Sequence, residues 1–83
     1  MSPITLYTTS WCGDCRRSKH WLDTNGISYT EINIEEDEKA MQFVQEVNKG
    51  MNSVPTIVFP DGSSLTEPSN KDLEDKLREL KMV

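Results

Sequence analysis

Cys12 and Cys15 are the side chains of this sequence best suited to chemistry, and they are its only two cysteines. They stand one helical turn apart in Trp11-Cys12-Gly13-Asp14-Cys15. Before them, Ile4-Thr5-Leu6-Tyr7-Thr8 has the alternation of a strand, and after them Arg16 to Asn25 has helical spacing that stops at Gly26. A sulfur placed where a helix begins meets unpaired backbone N–H groups and the positive end of the helix dipole, both of which favour the thiolate. The second sulfur follows a turn later, within reach for a disulfide. Cys12 is therefore expected to attack and Cys15 to resolve.

Other uses of the pair fit less well. A disulfide closing so short a loop restricts the unfolded chain little and stabilises little. Zinc wants four ligands, whereas the chain offers two cysteines and His20, eight residues after Cys12 on the same helix. No metal site is expected, and His20 reads as a solvated helix residue. A Cys-x-x-Cys in a βαβ setting favours redox chemistry.

Around the pair, Asp14 admits two readings. Its negative charge disfavours a neighbouring thiolate, yet the same charge suits the first turn of a helix. Arg16 and Arg17 supply opposing charge. Trp11 is expected to face substrate, because a bulky residue at a loop tip has little core to enter. Trp21 shares a helix face with Ser18, Leu22 and Asn25 and reads as core.

The elements that must hold these residues alternate along the chain. Residues 28–34 form a second strand with Ile32 and Ile34 on one face. The acidic run Glu35-Glu36-Asp37-Glu38 opens a second helix, where negative charge serves capping and the dipole rather than binding. Ala40, Phe43, Val44 and Val47 follow i, i+3, i+4, i+7 spacing and should face the sheet. Ser53-Val54-Pro55 leads into Thr56-Ile57-Val58-Phe59, and Asp61-Gly62 turns the chain into a short strand near Ser64-Leu65-Thr66. The last helix starts at Ser69, with Asp72 placed for a capping box and Leu73, Leu77 and Leu80 as its buried face. The order β-α-β-α-β-β-α predicts an α/β domain over residues 1–83, with a right-handed parallel crossover followed by an antiparallel hairpin.

Composition narrows the function classes. Eighty-three residues suit one small domain, and the 35% of apolar residues are concentrated in periodic segments. Met1-Ser2-Pro3 leads into the first strand without the basic and apolar regions of a signal peptide, and no run approaches the length of a membrane span. A reducing cytoplasm is expected, where a disulfide would be transient and catalytic. The net charge of −5 disfavours nucleic acid as a partner.

These residues together resemble the glutaredoxins, the smallest common version of the thioredoxin fold. The likeness rests on Cys12-Gly13-Asp14-Cys15 after the first strand, Ser53-Val54-Pro55 before the third, and the element order over nearly the whole chain. Thr8-Thr9-Ser10-Trp11-Cys12-Gly13, Val54-Pro55-Thr56 and the stretch from Asp61-Gly62-Ser63 to Pro68-Ser69 are most similar to the mycoredoxins, actinobacterial relatives that work with mycothiol. Glutathione-using members usually have Pro-Tyr between the cysteines and Gly-Gly-x-Asp-Asp before the last helix. Gly13-Asp14 and Leu65-Thr66-Glu67-Pro68-Ser69 stand there instead. The Trp-Ser-Gly-Phe-Arg-Pro stretch of the NrdH redoxins is absent.

The resemblance implies a four-stranded mixed sheet with three helices and a cis Val54–Pro55 bond facing the nucleophile. Substrate would lie against Trp11, Gly13, Asp14, Val54 and Pro55, the small thiol reaching toward Thr66, Glu67 and Ser69. It implies a monomeric thiol-disulfide oxidoreductase without a tightly bound cofactor. Mycothiol, bacillithiol or glutathione would be its co-substrate and S-thiolated proteins its targets. An NrdH-like dithiol carrier recharged by a flavin-dependent reductase is the alternative. A third reading, an iron–sulfur cluster shared between two chains through Cys12 and small thiols, has little likeness behind it.

Overall fold

The computed structural model describes residues 4–82, so the leading Met1-Ser2-Pro3 lies outside the described residues. The order is β1 (Thr5–Thr8), α1 (Gly13–Thr24), β2 (Thr30–Asn33), α2 (Glu38–Val47), β3 (Thr56–Val58), β4 (Ser64–Thr66) and α3 (Asn70–Glu79). The strands form one sheet in the order β2-β1-β3-β4. β1 pairs parallel with β2, Thr5 opposite Thr30 and Thr8 opposite Asn33. β3 pairs antiparallel with β1 and with β4. This is the mixed sheet that the element order predicts.

Alternation along the strands divides the core between two faces. Ile4 and Leu6 from the β1 side and Ile57 and Phe59 from the β3 side meet Leu22 of α1 and Leu73 and Leu77 of α3. Tyr7 and Ile32 turn the other way, toward Ala40 and Val44 of α2, where Ile34, Val54 and the two cysteines complete a second cluster. Because β3 runs antiparallel to β1, its first residues lie at the cysteine end of the sheet and its hairpin turn at the opposite end.

Local chemistry explains where the elements stop. After α1 the chain turns at Gly26, whose φ of 69° suits a residue without Cβ. Gly26 N–H donates to the Asp23 carbonyl and Ile27 N–H to the Leu22 carbonyl, closing the helix as a Schellman motif. At α3, the Ser69 side chain accepts from Asp72 N–H while the Asp72 carboxylate accepts from Ser69 N–H, the capping box expected there.

Four expectations need adjustment. The second strand is shorter than residues 28–34, because regular pairing with β1 spans only Thr30–Asn33. Val47 does not face the sheet: it occupies the final turn of α2, outside the cluster around Ala40 and Val44, and is 37% exposed. Trp21 is half-buried against the first cluster rather than enclosed. Of the acidic run only Asp37 caps α2, accepting from Ala40 N–H. Glu35 lies outside the helix and bonds elsewhere.

Candidate active site

The end of β1 delivers the chain to Cys12, which is the N-cap of α1. The Cys15 N–H donates to Cys12 Sγ at 3.0 Å. Cys12 and Cys15 are joined in a disulfide, with Cα atoms 5.3 Å apart. Once that bond is reduced, a thiolate on Cys12 stands where the helix N-terminus and a directed N–H both favour it. Cys12 is 7% exposed and Cys15 only 2%, so Cys12 is the more accessible sulfur.

Across from the sulfurs, the Val54–Pro55 peptide is cis. The Val54 carbonyl oxygen lies 3.8 Å from Cys12 Sγ. Val54 N–H has no hydrogen-bond partner among the described residues. Its N–H and C=O therefore form a short strip of backbone beside Cys12, suited to pairing with an extended group. Pro55 is fully buried, and its carbonyl accepts from Glu67 N–H at 2.8 Å. That bond ties the residue after β4 to the same spot. Glu67 takes a φ of 51°, sparsely populated by residues other than glycine.

On one side of the disulfide a shallow open cavity of about 550 Å³ is lined by Asp14, Arg17, Glu67, Pro68, Ser69, Asn70 and Lys71. Asp14 accepts from Arg17 Nε at 2.8 Å. The same guanidinium donates to the Asn70 side-chain oxygen and the Pro68 carbonyl, fastening α1 to the start of α3. The opposing charge expected near Asp14 thus comes from Arg17, while Arg16 is exposed. Asp14, Glu67 and Ser69 come together around the cavity; Thr66, Trp11 and Val54 are not among its walls. The Thr66 hydroxyl donates to Asn48 Oδ1 at 2.7 Å, and the Ser69 hydroxyl is occupied as the α3 cap. Each keeps only part of its hydrogen-bonding capacity for a ligand. Asn70 and Lys71 had no place in the expected site, and Arg17 was expected only as a charge near the cysteines, because the contact between α1 and α3 joins residues more than fifty positions apart.

On the other side stands Glu35. Its Oε1 accepts from Ser10 N–H at 3.0 Å and from Ser10 Oγ at 2.9 Å, and its Oε2 accepts from Trp11 Nε1 at 3.1 Å. These bonds, the backbone one foremost, hold its carboxyl below the ordinary range. Trp11 itself is 72% exposed beside Cys12, as a loop-tip aromatic should be. The only hint of Glu35 in the chain was topological. Parallel strands end side by side, and Ile34 N–H indeed donates to the Thr8 carbonyl.

Among the described residues no three His, Cys, Asp or Glu side chains are grouped to hold a metal ion, and no helix is long and apolar enough to cross a membrane. Gly13 is exposed at the first position of α1, and His20 is exposed as expected.

The chain is similar to known redox proteins throughout. The glutaredoxin family model matches residues 4–64. A Mycobacterium tuberculosis protein that carries the name glutaredoxin is 50% identical over 74 residues, covering 89% of this chain and 88% of that one. Mycoredoxin 1 of Corynebacterium glutamicum is 38% identical over 80 residues, 96% of this chain and 99% of its own. Among solved structures, a glutaredoxin from Archaeoglobus fulgidus superposes with a TM-score of 0.79 at 25% identity, over 94% of this chain and 88% of its own.

Proposed function

This chain belongs to the glutaredoxin family of thiol-disulfide oxidoreductases, and from that premise we propose that it reduces mixed disulfides between proteins and a low-molecular-weight thiol, with a sugar thiol of the mycothiol type preferred over glutathione. The observation that carries the reading is the unequal placement of the two sulfurs. Cys12 caps α1, receives the Cys15 N–H and lies beside the Val54 backbone, whereas Cys15 is enclosed one turn further in.

Reduced Cys12, as the thiolate, attacks the small-thiol sulfur of the mixed disulfide. The protein thiolate leaves and takes up a proton, and the small thiol is now disulfide-bonded to Cys12. A second small thiol, deprotonated, attacks that bond, releasing Cys12 and forming the disulfide of two small thiols. Two electrons pass from the small thiols to the protein disulfide, and Cys15 is not consumed. In the alternative branch Cys15 attacks Cys12, the small thiol departs, and the Cys12–Cys15 bond awaits an external dithiol or a flavin-dependent reductase. The closed disulfide of this structure is the oxidised end of that branch.

The preference for a sugar thiol is supported by the composition of the cavity wall. Of the two acids in the wall, Asp14 is already paired with Arg17, which leaves Glu67 beside the neutral Asn70 amide and the cationic Lys71, where a paired-acid site for an ammonium group would need two free carboxylates. The small thiol would lie along Val54, with its far end toward Thr66, Glu67 and Ser69. S-thiolated proteins are then the substrates, reduced by a monomer in a reducing cytoplasm with no metal or tightly held cofactor. The test is a reduction assay on one model protein carrying mycothiol, bacillithiol or glutathione, with the matching small thiol as reductant. Highest kcat/KM with mycothiol is the expected result; equal or better efficiency with glutathione defeats the preference, and failure on all three defeats the reading.

A further inference from the structure

We propose that Glu35 is a positioning residue of this site: its carboxylate holds Ser10 and the Trp11 ring, and through them shapes the approach of a protein substrate to Cys12. The inference rests on the proposed attack by Cys12 on a substrate disulfide. Three hydrogen bonds from two consecutive residues converge on one carboxylate, and those residues immediately precede the nucleophile. Apart from these bonds, Ser10 and Trp11 make no hydrogen bond among the described residues. The Cys12 N–H reaches the Thr9 carbonyl only at 3.5 Å, beyond the usual range for a backbone hydrogen bond. Glu35, by contrast, is delivered by a braced turn, with its own N–H on Asn33 Oδ1 at 2.9 Å and Glu36 N–H on the Asn33 carbonyl at 3.1 Å.

The Trp11 ring makes the consequence specific. With 72% of its surface exposed, packing does little to choose its rotamer, and the Nε1 bond to Glu35 chooses it instead. A large ring held in one orientation beside the sulfur meets a docking protein without first having to be ordered. Freeing it moves that ordering cost into the binding step. The effect should therefore fall on KM for a protein substrate more than on kcat.

The experiment combines kinetics with nuclear magnetic resonance. Glu35→Gln, Glu35→Ala, Trp11→Phe and the double variant Glu35→Ala/Trp11→Phe are compared with the unmodified chain on an S-thiolated protein. Trp11→Phe keeps the Glu35 charge and deletes only the indole N–H and shape. Glu35→Ala and Trp11→Phe should each raise KM by roughly two- to tenfold with kcat within about twofold. The double variant should be no worse than the poorer single one, and Glu35→Gln should recover part of the loss by keeping one acceptor oxygen. In the reduced protein the Trp11 indole N–H resonance should move and exchange faster with solvent in Glu35→Ala, with the Trp21 indole as internal control. An unmoved Trp11 resonance, additive KM effects or an unchanged KM would overturn the proposal. If the unmodified chain reduces no small-thiol mixed disulfide, the proposed function fails separately, and the same comparison is made on insulin reduction driven by dithiothreitol, where the KM pattern again decides.

Discussion

Two carboxylates hold a serine in the same manner at opposite ends of the sheet. At the cysteine end, Glu35 accepts from the N–H and hydroxyl of Ser10. At the hairpin end, Asp61 accepts from the N–H and hydroxyl of Ser63 and pairs with Lys76. The chemistry is alike, but the span is not: Asp61 reaches two residues along the chain, Glu35 twenty-five. The short bond shapes a turn with Gly62 at φ 87° and needs nothing beyond its own neighbours. The long one exists only after β1 and β2 have paired in parallel, and it fastens the loop that leads into Cys12. One end of the sheet is built by local rules and the other by the fold.

The largest effect that would break this contrast is in catalysis. Cys12→Ser should lower mixed-disulfide reduction by at least about a thousandfold, on the order of 4 kcal/mol in the barrier, while Cys15→Ser retains turnover of a small-thiol mixed disulfide. Asp61→Asn, at the far end, should leave kcat/KM within about twofold. Alkylation followed by mass spectrometry should label Cys12 first at neutral pH. Preferential labelling of Cys15, or loss of turnover in Cys15→Ser, would reverse the roles of the two sulfurs.

Stability should show the opposite bias. Phe59, just before the hairpin turn, is 2% exposed within the cluster formed by α1, α3 and the sheet, and Lys76 lies 5.8 Å above its ring. Phe59→Ala should cost about 3–5 kcal/mol in urea unfolding, a large part of the stability of a domain this small. Its effect on kcat/KM per folded molecule should be slight. A loss of activity at concentrations of urea where the variant is still folded would mean that the two ends are coupled more tightly than their separate clusters suggest.

The same contrast explains what could be read from the residues in order. The Cys-x-x-Cys spacing, the Ser69–Asp72 capping box and the Asp61-Gly62 turn are local patterns, and each appears where it was expected. The likeness to glutaredoxins added the cis Val54–Pro55 bond, which pattern alone would have taken as trans. Glu35 was misread because an acidic run before a helix has a ready local explanation, which Asp37 in fact satisfies. Arg17 was placed near Asp14 correctly, but its bonds to Pro68 and Asn70 depend on how α1 and α3 meet. Val47 shows the limit of periodicity: its spacing matched the apolar face, and the helix ended before that face had anything more to cover.

A smaller effect concerns the charge between the cysteines. A negative charge near a sulfur disfavours its thiolate, so Asp14→Asn should raise the thiolate fraction of Cys12 at a given pH and make the disulfide easier to reduce. The Arg17 guanidinium 2.8 Å away already offsets part of that charge, and both side chains are well solvated. The change in reduction potential should accordingly stay below about 30 mV, the value for a full tenfold change in equilibrium. Arg17→Gln should move the potential in the opposite direction. Thiolate absorbance and redox equilibration against a glutathione or dithiothreitol couple would measure both; an unchanged or more reducing potential in Asp14→Asn would remove Asp14 from the tuning of the pair.

The smallest expected effect lies at the hairpin, and pH exposes it. Ser63, through its hydroxyl and then its N–H, together with Lys76, holds the Asp61 carboxyl at about 2, against an ordinary 3.8. A carboxyl whose folded value lies below its unfolded one adds stability above the unfolded value, and that addition disappears as pH falls toward the folded one. For Asp61 the window runs from about pH 4 down to about 2. Asp61 is exposed, so the contribution is small and weakened by salt. Asp61→Asn keeps an oxygen to accept from Ser63 but removes the charge. Its urea midpoint should differ little from the unmodified chain at neutral pH in high salt, and should fall less steeply between pH 4 and 2. Glu35→Gln should flatten the acid limb from a slightly higher pH, since the Glu35 carboxyl is lowered from 4.5, and the Trp11 indole resonance should follow that titration in the unmodified chain and in Asp61→Asn but not in Glu35→Gln. If the Asp61→Asn limb overlies that of the unmodified chain, the local carboxylate shapes its turn without adding pH-dependent stability, and the resemblance between the two serine contacts is geometric alone.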